Sequence, residues 1–575
     1  MQGNVVAVAS ARGRRLRRAG LVAGLLLATL GARVGRAHAA TWWVALDGDD
    51  DNPGSQAAPW RSFDKAASTA APGDVVNVGD GTWAERLRIW QGGSTSAPIT
   101  WRAAPGATPV IDGSTLGGGR YGSVVQISGA SNLVIDGLAV RNSEGFGVSA
   151  IGDCQNLKLV NLEVDHCAGA GAVWIEGSIS PSYSEIRRCR IHDNPGGGIT
   201  LWQGSGYYVI EDNQVWNNAG ANNFDGIQVG SQAGGFHHVV VRRNLVHDNA
   251  TGDPGADNID MGGHGPVSHL LMEANVARNG EVQMHGTDPK GTAPVALVMR
   301  FNTITGSVGG KGGIVEYDHP NPSIIYSNTV VDAFNALLLY SDDVIGGTGT
   351  DFGGLESRNN LFVDATNYTL ILAGAAGFKI DTRYGSIRYD GNLYRFGGTG
   401  GILWSSGVYP AQLPDPNGAQ AFADYQAANP PDLQDVRSRR TTVPATSIFV
   451  DPAAGNYQLA PGSPAIDGGI ELTTTRTASA TASTRVPVVR AAFFHDSWDG
   501  LIAPDWIVVG SNPAVQVVSI DDASNVITVA TPITWAAGDP VNLPFQGSAP
   551  DNGAFETSTP APAAPKLLGV EPLPS

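Results

Sequence analysis

From about Ser131 onward the apolar residues fall in short runs. Each run is broken by a single polar residue, continues briefly, and ends in a polar turn before a glycine and a further apolar run. The unit can be read in LVIDGLAV, LKLVNLEVDHC, EIRRCRIHDN, YVIEDNQVWNN, VVVRRNLVHDN, LLMEANVARN, LVMRFNTITG, IIYSNTVVD, ESRNNLFVD and IRYDGNLYR. Its polar position falls at Asn161, Cys189, Asn213, Asn244, Asn275, Asn302, Asn328, Asn360 and Asn392, at separations of 28, 24, 31, 31, 27, 26, 32 and 32 residues. No long stretch shows the 3.6-residue apolar period of a helix. A unit of this size with several short strands cannot bury its own apolar face and must stack on copies of itself. Stacking in parallel, at about 4.8 Å per coil, gives a parallel β-helix of roughly ten coils. The recurring asparagines are then expected as an internal ladder, each amide bonding the next coil. A β-propeller or β-sandwich would instead repeat antiparallel hairpins with two-residue turns. The fold class predicted is all-β, a right-handed parallel β-helix with an N-terminal capping helix and a small C-terminal β module.

The pattern changes at both ends. Between Thr41 and about Arg120 the chain predicts one helix, Ser62 to Ala70, then a strand at Val75 to Val78, suited to capping the open end of a stack. The first 39 residues read as a cleavable export signal. Arg12, Arg14, Arg15, Arg17 and Arg18 precede an apolar run from Leu21 to Leu30, followed by Ala37-His38-Ala39. The run is short for a bilayer span, so no membrane span is expected after cleavage, and the predicted location is secreted, periplasmic or cell-surface. The β-helix is predicted over 40–470 and a Thr/Ser/Ala-rich linker over 471–484. A β-rich barrel or sandwich is predicted over 485–556, and an unfolded Pro/Ala-rich tail over 557–575.

Composition narrows the partners. The 575 residues carry 75 glycines, 15% charged residues and a net charge of −17, which excludes nucleic acid as a partner because phosphate binding needs clustered Lys and Arg. Cys154, Cys167 and Cys189 lack zinc-type spacing and read as core fillers, with one pair able to bridge.

Aligning the third run of successive coils by their inward pairs (Val173/Ile175, Ile199/Leu201, Ile227/Val229, Ile259/Met261 and Val282/Met284) sends Trp174, Thr200, Gln228, Asp260 and Gln283 outward in one column. A second column holds Glu176, Trp202, Gly230, Gly262 and His285. Asp225 and Asp257 precede their strands at matching places, about one coil apart, with Asp260 beside them and Asn258 expected to add an outward amide oxygen. Carboxylates this close repel unless a cation bridges them, and oxygen ligands suit Ca²⁺; the same residues can also be ordinary turn-formers. Trp174 and Trp202 are expected either as exposed platforms for sugar rings or as indoles packed under a loop, with Gln228, Gln283 and His264 also on the binding wall.

Two resemblances bear on this pattern. DGDDDNPGS…APWRSFDKA followed by PGDVV and DGTWAE is similar to the N-terminal cap of pectate-lyase-like β-helix proteins. FDGIQVG followed one coil later by ADNIDMGG resembles the calcium site of family-nine pectate lyases, which cleave uronic-acid polymers by β-elimination. On that resemblance Asp225, Asp257 and Asp260 match three acidic ligands, Ala256 stands where a fourth is expected, and Gln283 stands where the catalytic lysine belongs. Lys290, Lys311 and His285 are the candidate bases, in that order for the two lysines, since a base must take the proton α to the uronate carboxyl. The function expected is a secreted lyase, acting as a monomer on an acidic polysaccharide. DPK at 288–290 and EYDH at 316–319 weakly resemble alginate C5-epimerases, and a chondroitinase-B-like set of paired Lys and Arg cannot be placed. GSPAIDGG (462–469) and DNGAFE (551–556) resemble two halves of one terminating phrase. A non-catalytic carbohydrate-binding or cell-surface module is the main rival, because fold alone does not decide function.

Overall fold

The structure is a computed structural model that describes residues 39–177, 181–204, 206–218, 224–230, 235–249, 256–262, 267–285, 297–307, 312–317, 323–341, 351–352, 355–374, 379–380, 388–396, 402–406, 409–412, 422–423, 426–427 and 435–557. Among the described residues three sheets of 13 strands each wind along one right-handed β-helix, parallel except where Tyr409–Gln412 folds back antiparallel at the end of the third sheet, more strands per sheet than the expected ten coils. Each coil contributes one strand to each sheet in turn, as in Leu133–Asp136, Ala139–Arg141 and Phe146–Ile151. The inward pairs read from sequence are in register on the third sheet, with Ile199 opposite Ile227, Ile227 opposite Ile259, and Ile259 opposite Val282. All lie in the core at 2% exposure or less. The capping helix, Phe63–Thr69, starts after Ser62, whose hydroxyl accepts the Lys65 N–H and so satisfies one of the first-turn donors.

The asparagine ladder forms, with one displacement. Oδ1 of Asn244 accepts both the backbone N–H and the amide of Asn213 at 3.0 Å, and Asn244 bonds Asn275 in the same way. The ladder runs on through Asn302, Asn328 and Asn360 to Asn392, and begins at Cys189, whose N–H donates to Asn213. Asn161 is not part of it. Leu162 takes the inward place, while Asn161 sits at φ 53° and reaches outward to Asp136. A left-handed turn residue needs a backbone that Asn tolerates, which is why the pattern misled by one residue. A second buried ladder, Asn194, Asn218, Asn249 and Asn258, lines the turn into the third sheet.

The C-terminal region corrects the predicted linker. Ser479–Pro487 is a nine-residue strand of a six-stranded antiparallel sheet, whose ends meet through the Thr475–Val488 bridge to give a small barrel. The chain leaves the solenoid near Gly469 and returns at Pro550, and the two halves of the terminating phrase bond each other: Gly469 N–H to Pro550 O at 2.7 Å and Asp467 N–H to Asp551 Oδ1 at 2.7 Å. The barrel packs on the outer face of the first sheet. There the outward column reads Lys158, Glu185, Val209, Val240, Leu271, Val298, Ile324, Glu356. Its five apolar members share a core with Phe493, Phe494 and Trp498 of the barrel, while the charged members flank the covered stretch. All three cysteines are buried and free, so no bridge forms; burial pushes the thiols of Cys167 and Cys189 up to about 12. No helix among the described residues is long and apolar enough to cross a membrane, which leaves β-barrel insertion unaddressed.

Candidate active site and metal centre

The third sheet carries the predicted columns. Trp174 lies opposite Thr200, Thr200 opposite Gln228, Gln228 opposite Asp260, and Asp260 opposite Gln283. Two residues before the first inward residue of each strand stand Gly171, Gly197, Asp225 and Asp257 in successive coils. A Cβ on Gly197 would meet Ala170 O at 2.5 Å, so that coil leaves no room for a side chain, and the acids begin one coil later. Asp225 and Asp257 share one side of the solenoid: Oδ1 of Asp225 accepts the Asp257 N–H at 2.8 Å, and both residues are 2% exposed. Asp260 is half-buried and faces outward from the strand Ile259–Met261.

Two expectations are corrected. Asn258 turns inward: its Oδ1 accepts the Asn249 amide at 3.0 Å and its own amide donates to Arg278 O at 2.9 Å, so the side chain belongs to the second ladder and leaves the candidate ligand set. Trp174 faces outward but is covered, at 9% exposure, stacked on Phe146 at 4.9 Å and hydrogen-bonded to Glu176 Oε2 at 2.8 Å. Trp202, half-buried, lies 5.8 Å from Trp174, and the column continues with Gly230, which puts no side chain over the indole. Gln228 is half-buried, whereas Gln283 is buried.

Lys290, Lys311 and His264 lie outside the described residues. His285 ends the strand Val282–His285, with its backbone opposite Tyr317; its side chain is outside the description. Glu316, part of the phrase compared with epimerases, points into the core, in register with Met284 and Leu339. Burial pushes its carboxyl up to about 8 despite a 2.9 Å hydrogen bond from Ser323. It is no part of an outer-face site.

Sequence reasoning missed Glu281. It precedes the strand Val282–His285 much as Asp225 and Asp257 precede theirs, is 2% exposed, and accepts the Gly312 N–H at 3.1 Å. An acid immediately before a third-sheet strand was the available signal. Elsewhere, Glu163, Asp165 and His192 bring ligand atoms within 4.8 Å of one another on the second sheet. Their charges are matched by Arg190 and Arg141, at 3.8 and 3.4 Å, in an ion-pair network. Burial opposes a charged His192, but hydrogen bonds to Glu163 and Asp193 outweigh it and hold its pKa above the ordinary value.

Sheet order, coil register and the internal asparagine ladders define a right-handed parallel β-helix with an acidic column on its third sheet. Residues 42–252 match the family model described as Pel9A-like, right handed beta helix region, a stretch that includes Asp225 and ends before Asp257. Over 82 residues the chain is 35% identical to pectate lyase PEL9 of Emericella nidulans, and over 101 residues it is 29% identical to the uncharacterized protein YwoF of Bacillus subtilis. These alignments take in 14% and 17% of this chain, so it spans about a fifth of the length of the curated relatives it matches, 20% and 22%. Among solved structures it is similar to pectate lyase Pel9A, at 13% identity and a TM-score of 0.42 over 91% of this chain and 97% of that one. It is also similar to a mannuronic acid specific family 6 lyase from human gut microbiota, at 14% identity and a TM-score of 0.44 over 70% and 91%.

Proposed function

We propose that the protein is an exported polysaccharide lyase that cleaves a uronic-acid-containing polymer by calcium-assisted β-elimination on the third sheet. The observation that carries this reading is the placement of Asp225 and Asp257 at one position of adjacent coils, joined through the Asp257 N–H, with Asp260 projecting beside them. Two buried carboxylates a coil apart repel each other, a shared cation relieves that repulsion, and a set of three carboxylates matches the hard-oxygen preference of Ca²⁺. Asp225, Asp257 and Asp260 would hold the ion. Bound there, Ca²⁺ would neutralise the substrate carboxylate and acidify the adjacent C–H. Trp202 offers an indole for a sugar ring, and Gln228 offers an amide to its hydroxyls. Lys290, Lys311 and His285 remain the candidates for the group that removes the proton. Export is supported by the arginine-rich start and the apolar run that follows it.

A second reading is favoured by Gln283. With an amide next to Asp260 in the column, the wall can bind an acidic glycan without deprotonating it. Pectate, alginate and glycosaminoglycans incubated with the full chain, with and without chelator, separate the two. A lyase releases unsaturated, ultraviolet-absorbing ends only when calcium is present, and Asp257→Ala lowers that rate at least about 100-fold with the β-sheet circular dichroism unchanged. Glycan binding with no unsaturated product selects the binding module, and an unaffected Asp257→Ala rate removes the proposed site.

A further inference from the structure

We infer that the C-terminal barrel is an acid-releasable cover, latched over the apolar face of the first sheet at neutral pH and freed when the joint takes up protons. This inference stands independently of the lyase reading. The joint is built on a column of alternating charge next to the apolar one: Arg187, Glu211, Arg242, Glu273 and Arg300, followed by Tyr326. The barrel engages the Arg300 rung. Asp505 takes both terminal nitrogens of Arg300 at 2.9 Å, Glu273 accepts Nε at 2.8 Å, and Tyr326 Oη accepts Nη1 at 2.8 Å.

The fifth member is His495 of the barrel, whose Nε2 lies 2.6 Å from Arg300 Nη2. A guanidinium has only donors, so Nε2 must accept, and the ring hydrogen belongs on Nδ1, 3.1 Å from Asp496 O. A proton on Nε2 breaks that bond and sets an imidazolium against a buried guanidinium. Asp505 Oδ1 stands 3.2 Å from the same nitrogen, but its charge is already shared with Arg300.

A second proton-sensitive contact lies across the same seam. His238 is stacked between Tyr207 at 4.7 Å and His269 at 4.4 Å, edge-on to Trp498 of the barrel at 5.4 Å. Its Nδ1 is 2.9 Å from Nδ1 of His237, so the two rings share one hydrogen there, and a second would set two N–H groups head to head. The acids facing this cluster are Asp499, bonded to Tyr207 Oη at 2.9 Å, Asp522, 3.4 Å from His269 Nε2, and Asp496. Together they enclose a cleft of about 150 Å³.

The directions agree. Burial holds His495 and His237 below the ordinary histidine value and pushes His238 down to about 3. Burial raises Asp505 and Glu273, but the Arg300 charge outweighs it and leaves both below the ordinary carboxylate range. Depressed histidines give stability that is present above about pH 6.5 and lost as pH falls below it, and depressed acids lose theirs further down. His495, His237, His238, Asp505 and Glu273 all weaken in the same direction as pH falls, the histidines first, and release exposes Val209, Val240, Leu271, Val298 and Ile324.

Hydrogen exchange of the full chain from pH 7.5 to 4.5, corrected for intrinsic rates, tests the proposal alongside binding of an apolar dye. Barrel peptides are expected to lose protection and dye to bind while second- and third-sheet strands stay protected. His495→Gln, which offers Arg300 an acceptor that takes no proton, should move the midpoint down by about half a pH unit or more. Should His495→Gln already be unlatched at pH 7.5, His238→Gln is the deciding variant, and the same downward shift is expected. Loss of protection in barrel and solenoid together, or an unshifted midpoint in the deciding variant, overturns the inference.

Discussion

Single residues decide what the acidic wall can do, and they also show where a pattern in the sequence reaches its limit. Asp225, Asp257 and Asp260 were placed correctly because strand alternation and coil stacking are periodic, so counting residues fixes a face. Asn258 was not, because the residue next to an inward strand start can turn either way, and only the unseen ladder through Asn249 decides it. That ladder had a signal in the repeated HDN, WNN and HDN turns, each ending in the asparagine that points inward. Glu316 makes a separate point, since an acid among core positions breaks the inward apolar rule. Its folded-state pKa of about 8 exceeds the ordinary 4.5, so the folded state holds the proton longer and loses stability as pH rises from 4.5 toward 8. Glu316→Gln should therefore match the wild type below pH 4.5 and gain about 4 kcal/mol near pH 8 in denaturant unfolding. A gain that is independent of pH contradicts the buried acid.

At the scale of the element, the asparagine ladder replaces side-chain packing with hydrogen bonds that pass from coil to coil. Each rung is doubly committed: Asn275 accepts from Asn244 and donates to Val241 O and to Asn302. Asn275→Ala takes the side-chain partner from the buried Asn244 N–H and Val241 carbonyl of the preceding coil and should cost about 3 kcal/mol in chemical denaturation. Asn161→Gly, outside the ladder, exposed and free of backbone strain at its positive φ, should cost less than about 1 kcal/mol. Equal losses at the two positions would mean that the ladder carries no special weight. The ladder was legible because its spacing repeats. The barrel's covering role was legible too but overlooked: strands reading LKLV and SEIR alternate, whereas HHVVVR, SHLLME and SIIY are apolar on both faces. That change marks where a second layer must lie. The first part of the strand Ser479–Pro487, residues 479–484, reads as linker because its composition is small and polar, and composition does not report the register of a barrel.

Across the whole molecule, the solenoid sets the spacing on which the proposed function depends. Residues 32 apart in the chain meet only because each coil returns to the same wall, and the hydrogen bond from Asp257 to Asp225 is the local sign of that return. The first coils are determined by their caps and their repeats, and the last by the barrel and the closing phrase, so the acidic wall sits on a rigid frame. What the sequence pattern cannot supply is the base that the proposed lyase requires. Gln283 occupies the column place next to Asp260, and a base reaching in from a turn follows no strand period. Calorimetric titration of calcium into the full chain tests the shared wall most directly. One ion should bind per chain, and Asp225→Ala and Asp257→Ala should each weaken binding by at least about tenfold without unfolding the solenoid. Absence of calcium binding in the wild type, or wild-type affinity in either variant, would contradict it.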